Sequence, residues 1–178
     1  MTMKKILHLF AVVAMFASCK NGAKTTASTT DSVVMPYKAT YSSSFVISDS
    51  TSNIKAVLQS LKDWEDNKLA NAPAYFADTV VMNFWDGSKF KFKRDSMVKV
   101  FQKVRDSLTS SKIEVTAYVG LHSTDKNSDW VCVWYKQTDT FKTGKVDSAY
   151  YEDDNQMVKG KIVWIDDKRQ ALKPEMKK

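Results

Sequence analysis

The run from Val80 to Phe92, VVMNFWDGSKFKF, limits what this chain can fold into more than any other stretch. Two strand-like segments flank Asp86-Gly87, a dipeptide that favours a tight hairpin turn. With Asp86 and Gly87 as the whole turn, Trp85 faces Ser88, Asn83 faces Phe90 and Val81 faces Phe92. Directly opposed residues share a face, so Val81, Asn83, Trp85, Phe90 and Phe92 form an inward side. Met82 and Phe84 then stand with Lys89, Lys91 and Lys93 on the wetter side. A longer loop of three residues would shift the register by one and exchange the two faces. Asn83 is the amide on the inward side, either satisfied structurally or turned towards a ligand.

Helical patterns bracket this hairpin. Ile54, Val57, Leu58, Leu61, Trp64 and Leu69 recur at the spacing of a buried helical face. Ser50 or Ser52 can cap its start, and Pro73 opposes its continuation. Residues 70 to 77 suit a short second helix or turn that delivers Tyr75 and Phe76 to the core. After the hairpin, Asp95 can cap a third helix running to about Leu108. Met97, Phe101, Val104 and Leu108 form its apolar stripe, with Lys99, Lys103 and Arg105 towards water. The cluster Lys89, Lys91, Lys93 and Arg94 suits a solvated face or, as an alternative, an anionic membrane surface.

Four strand-like runs follow: Ile113 to Ser123, Trp130 to Thr138, Val146 to Glu152 and Met157 to Ile165. Short polar connections make them antiparallel neighbours. Turns at Thr143-Gly144 and Asp154-Asn155 would place Trp130, Cys132, Trp134, Ala149, Tyr151, Ile162 and Trp164 on one face. Val131, Val133, Tyr135, Tyr150, Val163 and Ile165 would take the other. Apolar residues on both sides imply that the second face is covered too, and a homodimer contact through the sheet is one way to cover it.

The N-terminus has a different character. Lys4 and Lys5 precede an apolar run from Ile6 to Phe16, the profile of a secretory signal over residues 1–18 and too short for a membrane span. Phe16-Ala17-Ser18-Cys19 resembles the lipobox of bacterial lipoproteins, with Phe16 where Leu is usual. That resemblance implies lipid attachment at Cys19 and an anchor in the bacterial cell envelope. Lys20 is not acidic, which favours the outer membrane over the inner one. An ordinary signal peptide with an incidental cysteine is the alternative. Residues 19–50 form the lipidated N-terminus and a tether: twelve of the thirty-one residues from Lys20 to Ser50 are Ser or Thr, too little to bury at first. From Val33 on, Tyr37, Tyr41, Phe45, Val46 and Ile47 suit an extended segment against the domain, as an added edge strand. The domain then spans 51–168 and a basic tail 169–178.

The formal charge is +7, and losing Lys4 and Lys5 with the leader leaves +5. This charge is spread widely, with no RNA-binding aromatic signature, zinc spacing or arginine cluster, so nucleic acid is not an expected partner. Of the two cysteines, acylation would consume the thiol of Cys19 and leave Cys132 alone. A Cys19–Cys132 bridge is the alternative in an oxidising compartment.

The order helix, short helix, hairpin, helix and four antiparallel strands resembles the NTF2-like cone. FADTVVMNFWDG and LHSTDKNSDWVCVW resemble its SnoaL-like branch. The resemblance implies an α+β fold in which a curved antiparallel sheet wraps around about three helices and leaves an apolar pocket. Its members include ketosteroid isomerases, polyketide cyclases, dehydratases and non-catalytic binding or dimerisation modules. The enzymes use an acidic or histidine base in the pocket, with a Tyr or a protonated acid aiding an oxyanion.

On this reading Asn83, Trp85, Phe90, Trp130, Trp134, Tyr151 and Trp164 line the pocket. Asn83 stands where the isomerase base would lie, and Asp86 is accounted for by the turn. His122, beside Asp125 and Asp129, is the catalytic candidate, although strand alternation favours a surface or dimer-facing position. Asp153 and Tyr151 lie near the pocket face without forming a dyad. No cofactor or metal is expected, because no P-loop, dinucleotide glycine pattern or metal cluster is visible. The expectation is a lipid-anchored envelope module that binds a small apolar ligand or a partner protein without catalysis. The alternative is a cofactor-free enzyme of the isomerase, cyclase or dehydratase type.

Overall fold

The structure, a computed structural model, describes residues 35–172. The signal segment, Cys19, the first half of the tether and the end of the basic tail lie outside the described residues. The secondary structure falls within the compact unit that begins at Tyr37. Its order is β1 (Phe45–Ile47), α1 (Thr51–Glu65), a 3-10 helix (Leu69–Ala74), β2 (Phe76–Asn83), β3 (Lys89–Lys93), α2 (Arg94–Asp106), β4 (Leu108–Ser123), β5 (Ser128–Phe141), β6 (Val146–Val158) and β7 (Lys161–Ala171).

The strands form one curved, open, seven-stranded sheet in the order β1-β4-β5-β6-β7-β2-β3. All neighbours are antiparallel except β2 and β7, which run parallel, so the expected all-antiparallel sheet carries one parallel seam. The helices pack on the concave side. Val57 of α1, Met97 of α2, Tyr75 after the 3-10 helix, and Val131, Val133 and Ile162 of the sheet form the centre of the core. Burying a side chain of this kind contributes about 1.5–3 kcal/mol.

Helix ends depart from the expectation. Ser50 precedes α1 but makes no side-chain cap; its carbonyl accepts from Ile54 N–H at 3.1 Å. Lys93 rather than Asp95 is the N-cap of α2, and Asp95 sits in the first turn, where a carboxylate favours the helix dipole. Arg105, expected in water, is buried. Its guanidinium donates to the carbonyls of Trp64 at 2.8 Å and Glu65 at 2.9 Å. Both carbonyls belong to the last turn of α1, where a cation is favourable to the helix dipole. Arg105 thereby fastens α2 to α1.

The hairpin register is the main correction. Val80 pairs with Phe92, Met82 with Phe90 and Asn83 with Lys89. The loop is Trp85-Asp86-Gly87: Phe84 N–H bonds Ser88 O, and Gly87 N–H bonds Phe84 O, both at 2.9 Å. Gly87 has φ of 85°, the left-handed position that ends a three-residue hairpin loop. Asp86 contributes turn chemistry as expected, accepting from Ser88 N–H at 2.9 Å. Val80, Met82 and Phe84 therefore face the core and Asn83 faces away, while Trp85 stands in the exposed loop.

The β5–β6 connection repeats this geometry. Gly144, at φ 84°, closes a loop in which Phe141 N–H bonds Lys145 O at 2.8 Å and Gly144 N–H bonds Phe141 O at 2.9 Å. Gln137 then pairs with Ala149, Tyr135 with Tyr151 and Val133 with Asp153. The last turn also moves. Asp153 to Gln156 continue β6, and Lys159 and Gly160, at φ 50° and 74°, make the reversal. The strand β7 runs to Ala171, so residues 169–171 belong to the sheet and not to a tail.

The segment before α1 docks as an edge strand, as its composition suggested. β1 pairs with β4, and Ser48 N–H bonds Gly120 O at 2.9 Å. A Cβ on Gly120 would lie 2.6 Å from the backbone oxygen of Ser48. Gly120→Ala is expected to release β1 and cost about 1–3 kcal/mol by strain of this overpacking kind. Denaturant unfolding gives the loss, and amide exchange at Phe45–Ile47 should rise well above that of β5.

Candidate active site

A cavity of about 200 Å³ lies between the concave face of the sheet and the helices. Its walls are mostly apolar, from Leu61, Trp64, Phe84 and Phe101 among others. Polar side chains reach it from β5, β6 and β7: Tyr135, Gln137, Tyr151, Asp153, Asn155 and Asp167. They converge because alternate residues of a strand share a face and opposed residues of neighbouring strands meet. Tyr135 opposes Tyr151, and the two rings stack at 5.3 Å. Asp153 opposes Asp167.

This carboxyl pair is the chemical centre of the cavity. Tyr135 OH donates to Asp153 Oδ2 at 3.0 Å. Asp153 Oδ1 and Asp167 Oδ1 are both buried and without a hydrogen-bond partner. Burial, and then the charge of Asp167, raises the Asp153 carboxyl well above the usual carboxylate range, against the hydrogen bond from Tyr135. Burial also pushes Asp167 up to about 6, opposed by the neighbouring Asp153 carboxyl, by the Trp85 backbone N–H and by the charge of Arg169. Like charges at close quarters cannot both ionise cheaply. Asp153, the more deeply buried of the two, is therefore the carboxyl that holds its proton more tightly, and Asp167 the one that ionises first. Burial, and then the Asp153 charge, also hold the Tyr135 hydroxyl well above its ordinary value, as a donor.

Neighbouring side chains brace the pair. Asn155 is buried and donates through Nδ2 to Val131 O and Asp153 O, both at 3.2 Å. Arg169 Nε donates to Tyr151 OH at 3.0 Å, and its other arm bonds both Asp147 oxygens at 2.9 Å. Its guanidinium also lies 5.3 Å from the Trp85 ring centre. On the helical side, Trp64 Nε1 donates to Ser111 Oγ at 3.0 Å, and Ser111 donates to Asp139 at 2.6 Å. Among the described residues, no group of three or more His, Cys, Asp or Glu side chains is arranged to hold a metal ion.

Of the seven residues expected to line the pocket, Tyr151 does so. Trp130 and Trp164 line a separate recess on the convex face. Trp134 stands on that convex side, opposite Ala117 and Glu152. The three-residue loop at Gly144 put Trp130 and Trp134 on this side, and the reversal at Lys159-Gly160 put Trp164 there. Asn83 faces away and donates to Asp166 Oδ1 at 3.3 Å. Trp85 is 56% exposed and Phe90 49%; Phe90 points to the core side of an edge strand but lies at its rim. His122 lines neither cavity. Its Nδ1 is 2.7 Å from Asp129 Oδ1, on β4 beside β1, while Asp125 accepts instead from Ser42 and Ser123. The residues that reasoning from sequence missed are Asp167 and Asn155, with Tyr135 placed on the wrong face. Their signal was the alternation Tyr151-Asp153-Asn155-Met157, obscured when Asp154-Asn155 was read as a turn.

No protein-family model matches the sequence, and no curated protein resembles it in sequence. Solved structures do resemble the fold. A Mycobacterium tuberculosis epoxide hydrolase of the LEH-like kind matches with TM-score 0.56 and 12% identity, over 67% of this chain and 84% of its own. An NTF2-like protein of unknown function from Burkholderia pseudomallei matches with TM-score 0.54 and 13% identity, over 67% and 92%. A polyketide cyclase, so described, from Acidithiobacillus ferrooxidans matches with TM-score 0.56 and 11% identity, over 70% and 92%. The fold is the NTF2-like cone. At these identities the likeness concerns the fold, because one fold hosts many chemistries. Within this NTF2-like cone, the carboxyl pair is a property of the chain itself.

Burying Asp167 has a measurable consequence. Its native pKa of about 6 exceeds the ordinary 3.8. Between those values Asp167 binds more protons in the native than in the unfolded state, so its contribution to stability falls as pH rises from about 4 to about 6 and is constant above. Asp167→Asn removes this loss. The variant is expected to be more stable than the parent at pH 7 by about 1 kcal/mol, after allowance for partial solvent screening. The advantage should vanish near pH 4. Denaturant midpoints across that range provide the comparison.

Proposed function

We propose that this protein is a cofactor-independent acid–base enzyme acting on a small, largely apolar molecule that carries a carbonyl group. The observation that carries the reading is the Asp153–Asp167 pair in an apolar cavity, with Tyr135 donating to Asp153 at 3.0 Å. Asp167, with its pKa raised to about 6, suits a general base at neutral pH. It would take a proton from the carbon next to the carbonyl. The electron pair of that C–H bond moves towards the carbonyl oxygen, and the neutral Asp153 carboxyl donates a hydrogen bond to the developing oxyanion. Returning the proton to another carbon completes an isomerisation; attack by the carbanion on a second carbonyl of the same molecule completes a cyclisation. Neither needs an oxidant or a reductant.

This reading supersedes the expectation of a purely binding module, because the acid that seemed missing at Asn83 is supplied from β6 and β7. The apolar walls support the binding of a small apolar ligand in either case. We further infer that the mature protein is held at the bacterial outer membrane by lipid on Cys19. The motif Phe16-Ala17-Ser18-Cys19 and the Ser/Thr-rich tether support this. Intact mass of protein from producing cells, with and without globomycin, tests it: without the drug a lipidated cysteine is expected as first residue, with the drug the uncleaved precursor should accumulate, and a product cleaved elsewhere and indifferent to the drug would refute it.

Catalysis is tested by solvent deuterium exchange into a panel of small cyclic ketones, followed by mass spectrometry. The protein is expected to accelerate exchange of at least one ketone, and Asp167→Asn should reduce that rate by about 10²–10⁴-fold. The rate should climb through pH 6 as Asp167 ionises and decline at higher pH as Asp153 loses its proton. Exchange no faster than buffer across the panel, or equal rates for parent and Asp167→Asn, would sink the proposal.

A further inference from the structure

A second cavity of about 480 Å³ opens on the convex face, on the opposite side of the sheet from the carboxyl pair. Its walls are Tyr41 and Phe45 from the strap before α1, with Leu121, Trp130, Cys132 and Trp164 from the sheet. The rings meet at steep angles. Trp130 stands at 74° to Tyr41, 5.5 Å between centres, and at 85° to Trp164, 5.3 Å between centres. The lining thus presents aromatic surfaces in two nearly perpendicular planes. Tyr41 is held in place by its hydroxyl, 2.8 Å from Ser128 Oγ, and Trp130 Nε1 donates to the same oxygen at 3.1 Å.

The electrostatic surroundings are one-sided. Asp154 lines the recess, and Glu152 and Asp166 share the Lys168 ammonium with it. Three carboxylates against a single ammonium leave the rim negative. Aromatic faces carry negative charge at their centres and attract cations, most strongly when water is excluded. A bare ammonium is strongly hydrated and enters such a recess poorly. A methylated ammonium keeps its positive charge while presenting methyl groups that pack on the rings.

We propose that this recess binds a small molecule bearing a methylated ammonium group, with the cationic head among Tyr41, Trp130 and Trp164. The carboxylates of the rim favour the charge, and the rings supply contact and cation–π attraction. The ligand would also tie the strap to the sheet, since Tyr41 belongs to one and Trp130 and Trp164 to the other.

Titration calorimetry of the mature chain with choline, and with 3,3-dimethylbutan-1-ol, tests the proposal. The alcohol has the same shape with carbon in place of the charged nitrogen. Choline is expected to bind with millimolar or tighter affinity, at least about tenfold more tightly than the alcohol, the ratio that cation–π attraction supplies. Tyr41→Ala alters the strap and leaves the sheet core untouched; with an unchanged circular dichroism spectrum it should weaken choline by about fivefold or more. Asp154→Asn should weaken choline and leave the alcohol unaffected. Equal affinity for the two compounds would make the recess a general apolar site and overturn the proposal. Absence of choline binding at about 50 mM would do the same, since that concentration exceeds any useful cage affinity. So would a dimer in sedimentation that buries the recess and is indifferent to choline.

Discussion

Two glycines in the left-handed conformation, Gly87 and Gly144, decide how two hairpins of the sheet are registered and so which of their side chains face the core. Each closes a three-residue loop, with φ of 85° and 84°, and each therefore sets a strand pairing one residue away from that of a two-residue turn. In a period-2 structure such a shift is not a local adjustment. At Gly144 it brings Tyr135 beside Tyr151 and sends Trp130 and Trp134 to the other face; at Gly87 it turns Met82 and Phe84 to the core and Asn83 away. Trp164 goes outward with the reversal at Lys159-Gly160. Neither glycine touches a cavity. Their influence is entirely through the register they impose on strands whose functional residues lie far along the chain.

That register has an energetic cost which the surrounding network limits without removing. Asp153 and Asp167 are opposed on neighbouring strands and each retains a buried oxygen with no partner. An unpaired buried polar atom costs about 1–3 kcal/mol, and a buried charge costs more unless it protonates. The chain meets this partly by holding a proton on Asp153 and partly through Tyr135, the Trp85 N–H and Arg169. A core selected only for stability would place apolar groups here. Strain of this sort, concentrated at converging polar groups in an otherwise apolar cavity, is what a catalytic site requires. The unsatisfied atoms are also the ones a substrate oxygen or C–H could meet.

Much of the fold was legible in sequence because long-range periodicity survives small errors of turn length. The helical stripe of Val57, Leu58 and Leu61, the turn around Asp86, the run of antiparallel strands and the docking of Phe45 to Ile47 all follow from local patterns. The faces did not, because Asp86-Gly87 and Thr143-Gly144 are compatible with loops of either length, and the difference lies in a left-handed glycine. The site was hidden for a related reason. Asp153-Asp154-Asn155-Gln156 has the composition of a turn, yet its odd-numbered members face a cavity and its even-numbered members face solvent or the convex recess. Polar residues inside a strand look like a break when their purpose is to line a pocket. Arg105 shows the same limit: its charge suggested water, and only the meeting of two helices supplies the carbonyls that bury it.

The two cavities are linked by this alternation more closely than their separation suggests. Asp153 and Asp167 point inward while Glu152, Asp154, Asp166 and Lys168 point outward, from the same stretches of β6 and β7. Opposed pairs on both faces share one set of backbone hydrogen bonds, so neither face can change partner without the other. The outer recess has one further dependence, because Tyr41 and Phe45 reach it from the strap. Any ligand that prefers the recess with the strap docked stabilises the docked strap by the same free energy that docking adds to the ligand's affinity. Occupancy of the convex face would thus stiffen the edge at β1 and β4, while the inner carboxyls, held by the central strands, keep their geometry. The fold thus keeps a buried carboxyl pair and an aromatic recess apart by assigning them to opposite faces of the same strands.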